Sequence, residues 1–134
     1  MKLSEKRRNE IAWEYLVKEV LKNEMSVSLS ACAENSGLED VYPQFLGMMY
    51  KEMVSRGYKH SNNYEYPIPL SIEKRDEIAW ALVIAVKVER GINISKKLRR
   101  HIGNEAASLQ ISHDEAWAFA HEVILAVVEK FFSE

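Results

Sequence analysis

Ile78-Ala79-Trp80-Ala81-Leu82-Val83-Ile84-Ala85-Val86 is a run of nine apolar residues without a polar break, and its reading decides the fold. Leu82, Val83, Ile84 and Val86 include β-branched side chains that suit a strand. The flanks argue the other way. Ser71-Ile-Glu-Lys-Arg-Asp-Glu places a hydroxyl and then acidic residues where the free amides of a helix start want acceptors and negative charge. Gly91 stands where a left-handed stop is easiest for glycine. Ala79, Ala81 and Ala85 also favour a helix, so the sequence predicts one over about 72–90. A helix apolar on every side belongs in the middle of a protein. The run falls far short of the ~20 residues that span a bilayer, so its surroundings are expected to be protein.

Laid on itself at an offset of 67, the chain brings Leu3-Ser4-Glu5-Lys6-Arg7-Arg8-Asn9-Glu10-Ile11-Ala12-Trp13 onto Leu70-Ser71-Ile72-Glu73-Lys74-Arg75-Asp76-Glu77-Ile78-Ala79-Trp80. Seven of these eleven positions are identical, and 67 is half of the 134 residues. The expectation is an all-α bundle of six or seven helices in one domain, built from related halves 1–66 and 67–134. The first helix, over 4–23, is interrupted by Glu14, Lys18 and Glu19, so it is expected to pack outside and its counterpart at the centre.

Further helices are expected over 29–36, from Asp40, Tyr42 and Pro43 to Gly57, over 96–109, and over 113–132 behind a Ser112-His-Asp-Glu115 capping box. Met48, Met49 and Met53 read as core filler. Residues 57–70 join the halves. Pro67 and Pro69 favour an extended path, and Tyr58, Tyr64 and Tyr66 are expected to pin it to the body.

A net charge of −2 gives no global attraction to nucleic acid or acidic membranes, so such a role needs a local patch. Cys32 is the single cysteine, which excludes an internal disulfide and a cysteine-rich zinc site. The first residues lack the apolar core of a signal peptide, and no membrane span follows. A cytoplasmic location is the expectation.

Ala106-x-x-Leu109-Gln110-Ile111-Ser112-x-x-Glu115-Ala116 resembles the spacing of a helix-turn-helix motif, with Gln110 where the turn glycine usually sits. A looser echo is Ala33-x-x-Ser36-Gly37-Leu38. The resemblance implies nucleic-acid binding by the helix that Ser112 opens. Asp114 and Glu115 at that helix start oppose it, since carboxylates near phosphate cost affinity. The cleanest basic patch is Lys96, Lys97, Arg99, Arg100 and His101, which with Ser112 and His113 forms the candidate binding surface.

For catalysis the chain offers little. His101 and Glu105 are four apart on one predicted helix; Glu10 and Glu77 occupy matching positions and are expected as surface carboxylates, the alternative being an acid pair that meets across a pseudo-twofold. There is no Glu-x-x-His, no His-Glu-x-x-His, no glycine-rich phosphate loop and no Gly-x-Ser-x-Gly elbow. No catalytic residue, metal or cofactor is expected. The function expected from sequence is a small non-enzymatic binding or regulatory protein acting through a protein partner or a second copy of itself. A helix-turn-helix-type nucleic-acid binder is the alternative.

Overall fold

The structure, a computed structural model, describes residues 3–22, 29–59, 63–89 and 111–132. They form five helices and no strand: α1 (Glu5–Leu21), α2 (Leu29–Asn35), α3 (Tyr42–Ser55), α4 (Ile72–Glu89) and α5 (His113–Phe132). This is fewer than the six or seven expected. The helix predicted over 96–109 lies outside the described residues.

Three of the five helices start on a serine, each for one physical reason. The first amides of a helix have no partner within it, and a hydroxyl held just upstream accepts from one of them. Ser4 Oγ accepts from Arg7 N, Ser71 Oγ from Lys74 N and Ser112 Oγ from Glu115 N, each at 3.1 Å. Two helices end on glycines in the left-handed region. At Gly37 (φ +71) the chain turns so that Leu38 N donates to Ala33 O at 2.8 Å, and at Gly57 (φ +99) Tyr58 N donates to Met53 O at 3.0 Å. α3 opens at Val41 without a side-chain cap, with Pro43 in its first turn.

The apolar run is helical, and Ile78, Ala79, Leu82, Val83, Ile84 and Val86 are buried in it. It is not dry on every side, because Trp80, Ala81 and Ala85 are half-buried. α4 packs on α1, α2 and α5, and α1 also packs on α3.

The expected outer placement of α1 does not hold. Ile11, Ala12, Trp13, Tyr15, Leu16, Val17 and Val20 are as deeply buried as the α4 set, so the two helices share the centre. The polar interruptions explain why. Glu14 and Lys18, one turn apart, confine the wetter side to a narrow face, while Glu19 is itself buried. Each large side chain in this shared core contributes roughly 1.5–3 kcal/mol. Tyr15 and Lys87 close the far end, where buried Lys87 Nζ donates to Tyr15 Oη at 2.6 Å.

The smaller expectations for packing hold in part, since Met48 is half-buried against the core and Tyr58 and Tyr66 are exposed. Met49 and Met53 are buried, as is Cys32. The joining segment is pinned to α3. Tyr64 sets its ring edge-on to Tyr50 with centroids 5.3 Å apart, Gln44 Nε2 donates to Ile68 O at 2.8 Å, and Pro67 lies so close to Gly47 that a Cβ there would come within 2.9 Å of its ring. No described helix is long and apolar enough to cross a membrane.

Candidate functional site

Where α1 and α4 meet near their starts, two stacks of side chains repeat one pattern. Arg75 of α4 lies over the Trp13 ring of α1 at 4.2 Å, and Trp13 meets Phe45 of α3 edge-on with centroids 5.4 Å apart. Arg8 of α1 lies over the Trp80 ring of α4 at 4.3 Å, and Trp80 meets Phe119 of α5 at 5.9 Å. Each guanidinium is held by the residue that follows it. Arg8 Nε and a terminal nitrogen donate to Asn9 Oδ1 at 3.1 and 2.9 Å, while Arg75 Nε donates to Asp76 Oδ1 at 2.9 Å and a terminal nitrogen lies 2.8 Å from the same oxygen as an ion pair. Arg8 and Arg75, Asn9 and Asp76, and Trp13 and Trp80 all stand 67 apart.

Between the two helix starts opens a cleft of about 570 Å³, lined by Glu5, Lys6, Asn9 and Glu10 of α1 and by Ile72, Glu73, Asp76 and Glu77 of α4. These are again four matched pairs at the same offset. Five carboxylates and one lysine line it, and four of the five are paired with cations at its edge: Glu5 with Arg8, Glu10 with Arg7, Asp76 with Arg75 and Glu77 with Lys74. Glu5 and Glu73 are ordinary first-turn acids that complement the helix dipole. Glu10, Asp76 and Glu77 lie further along, where each meets a cation of its own helix: Arg7, Arg75 and Lys74.

Asn9 and Asp76 form the deep part of the cleft, at 7 % and 5 % exposure, while Glu5, Lys6, Ile72, Glu73 and Glu77 stand open around it. Both arginines bind through Oδ1, and among the described residues no hydrogen bond to Asn9 Nδ2 or Asp76 Oδ2 accompanies these. Burial pushes the Asp76 carboxyl above its ordinary pKa. Arg75 counters this in part, and Glu10 across the cleft adds to it. Among the described residues no three His, Cys, Asp or Glu side chains converge closely enough to hold a metal ion.

Glu10 and Glu77 line one cavity. The two carboxylates are taken up separately, Glu10 with Arg7 at 3.4 Å and Glu77 with Lys74 at 3.8 Å. Asn9 and Asp76 escaped sequence reading. Their signal was the matched pair of short polar side chains ahead of Glu-Ile-Ala-Trp.

Of the basic candidate surface, Lys96, Lys97, Arg99, Arg100 and His101 lie outside the described residues, as does Glu105. Ser112 and His113 are exposed and both are engaged locally. Ser112 caps α5, and His113 Nε2 accepts from Trp117 Nε1 at 2.6 Å. The capping box is altered. Glu115 turns its carboxylate to Arg7 of α1, whose Nε donates to it at 2.7 Å, tying the start of α5 to the start of α1. That bond holds the Arg7 pKa above its ordinary value.

These features define an all-helical protein with an acidic cleft at the junction of two matched helix starts. No protein-family model, curated protein or solved structure matches the chain.

Proposed function

We propose that this chain is a small cytoplasmic binding protein that acts without catalysis, by contact with a basic segment of a protein partner at the cleft between α1 and α4. We further propose that its two halves descend from one helical unit. The crossed Arg–Trp contacts support the second point, since Arg8 and Arg75, and Trp13 and Trp80, stand 67 apart and make equivalent contacts; Phe45 and Phe119, which the two rings meet, do not share that offset. The cleft carries the first. Its five carboxylates are spread over two helices instead of converging on one point, an arrangement that suits an extended cation more than a bound ion. A single buried cysteine suits a reducing compartment.

The alternative is a helix-turn-helix-type nucleic-acid binder using Lys96, Lys97, Arg99, Arg100 and His101 with the α5 start. Against it stand Asp114, exposed in the first turn of α5, and the Arg7–Glu115 bond, which ties that turn to the protein body.

An array of overlapping basic and acidic peptides probed with the full chain tests the reading, alongside mixed-sequence duplex DNA at low salt. Retention on basic peptides, abolished by Glu10→Lys with Glu77→Lys, is the expected result. Salt-steep DNA binding that Arg99→Ala with Arg100→Ala weakens, without retention on peptides, overturns it in favour of the alternative.

A further inference from the structure

The segment that joins α3 to α4 buries every third residue. Tyr64, Pro67 and Leu70 are half-buried, while Glu65, Tyr66, Ile68 and Pro69 between them are exposed. A strand, which alternates its side chains, does not produce this spacing. A polyproline-II helix does, because it has three residues per turn. The sequence imposes that conformation. The rings of Pro67 and Pro69 fix φ at about −65°, and each proline restricts the residue before it, Tyr66 or Ile68, to extended backbone.

One ridge of this helix is used on α3. Tyr64 sits edge-on to Tyr50, the Pro67 ring packs against Gly47, and Gln44 Nε2 donates to Ile68 O at 2.8 Å. The other two ridges face outward. Ile68 is 80 % exposed and Pro69 beside it is exposed too, while one turn earlier Glu65 is exposed and Tyr66 keeps 41 % exposure beside Tyr64 and Lys51. Glu65 shares a ridge with Ile68 and has no ion pair among the described residues. Because α3 already holds the segment extended, a partner that takes it up loses little entropy in ordering it.

We infer that residues 65–69 are a ready-made polyproline-II ligand for an aromatic-lined groove on a partner protein, with Ile68-Pro69 filling one slot between rings and Glu65-Tyr66 the next. A basic residue at the rim of that groove meets Glu65. A second copy of the chain does not offer such a groove on its α3, which its own joining segment covers. The inference does not depend on what the cleft between α1 and α4 binds.

Its test uses the purified full chain against a panel of immobilised SH3, WW and EVH1 domains, which read such helices through aromatic grooves, chosen to include basic and acidic rims. Saturable binding to members with a basic rim is expected. Ile68→Ser with Pro69→Ala weakens it about tenfold or more. These two side chains are exposed, so an unchanged thermal melt separates a lost contact from a lost fold. Glu65→Lys shifts the preference to acidic rims. Gln44→Ala, which loosens the segment from α3, lowers the affinity towards that of a synthetic peptide of residues 63–71, and Glu14→Gln changes nothing.

No saturable binding to any member, or binding that Ile68→Ser with Pro69→Ala leaves intact, overturns the inference. A peptide that binds more tightly than the full chain overturns the assignment of the outward ridges, since the groove then needs the ridge that α3 covers. A dimer in sedimentation that the same double variant dissolves gives this face to a second copy and overturns the groove.

Discussion

Replacing Arg75 by alanine is expected to cost more than replacing Arg8, although the two residues make the same contacts. Their guanidiniums sit 4.2 and 4.3 Å from a tryptophan ring, and their side chains are 17 % and 19 % exposed. Loss of a cation–π contact at such a partly desolvated site costs about 1–2 kcal/mol. The remaining link from Arg8 to Glu5, at 3.9 Å to a carboxylate 81 % exposed, adds next to nothing. What differs is the group left behind. Arg8→Ala strands the neutral Asn9 amide, whereas Arg75→Ala strands a buried carboxylate, and breaking one side of a buried ion pair costs about 3–5 kcal/mol.

The expected losses are therefore about 2 kcal/mol for Arg8→Ala and about 4 kcal/mol for Arg75→Ala. Urea unfolding followed by tryptophan fluorescence measures both. The pH dependence sharpens the comparison. Folding already raises the Asp76 pKa above 3.8, and removing Arg75 raises it further. The penalty in the variant is absent where Asp76 is protonated in both states, grows as pH rises from the unfolded value through the folded one, and is complete above it. The gap between the two variants should shrink on acidification. Equal losses at neutral pH, or a gap indifferent to pH, would refute this account of the stacks.

Three further outcomes follow from single contacts. Asp76→Asn is expected to leave stability unchanged or higher at neutral pH, the advantage over the parent chain fading as pH falls through the Asp76 titration; a loss at neutral pH contradicts the raised pKa. Gly47→Ala gains up to about 1 kcal/mol of helix propensity but drives a methyl to 2.9 Å from the Pro67 ring, so a net loss of about 1 kcal/mol is expected, with faster proteolysis at 63–70. Thermal melts should show Ser71→Ala costing about 1 kcal/mol, and a variant with no loss would mean the cap at Lys74 N is idle.

The local features of this fold are written locally, and they could be read. Serine caps at Ser4, Ser71 and Ser112, turn glycines at Gly37 and Gly57, and the unbroken run at 78–86 all act within a few residues of themselves. What could not be read depends on which surfaces meet. Glu19 looks like a break in an amphipathic face, yet it is buried, and only the packing of α1 shows this. The Ser112–Glu115 spacing encodes a capping box, and Arg7, more than a hundred residues upstream, captures the glutamate instead. The cleft needs both helix starts side by side. The 67-residue offset sets Asn9 and Asp76 at corresponding positions, but neither residue carries a mark saying that they share a cavity.

The central claim is that α1 and α4 together form one core, with the cleft opening where their starts meet. Native-state hydrogen exchange tests it most directly. The account predicts that amides of 11–17 and 78–86 exchange only through the same, highest-energy opening. Exchange of 11–17 through a lower-energy opening, while 78–86 stays protected, would contradict it and leave α4 as the sole centre.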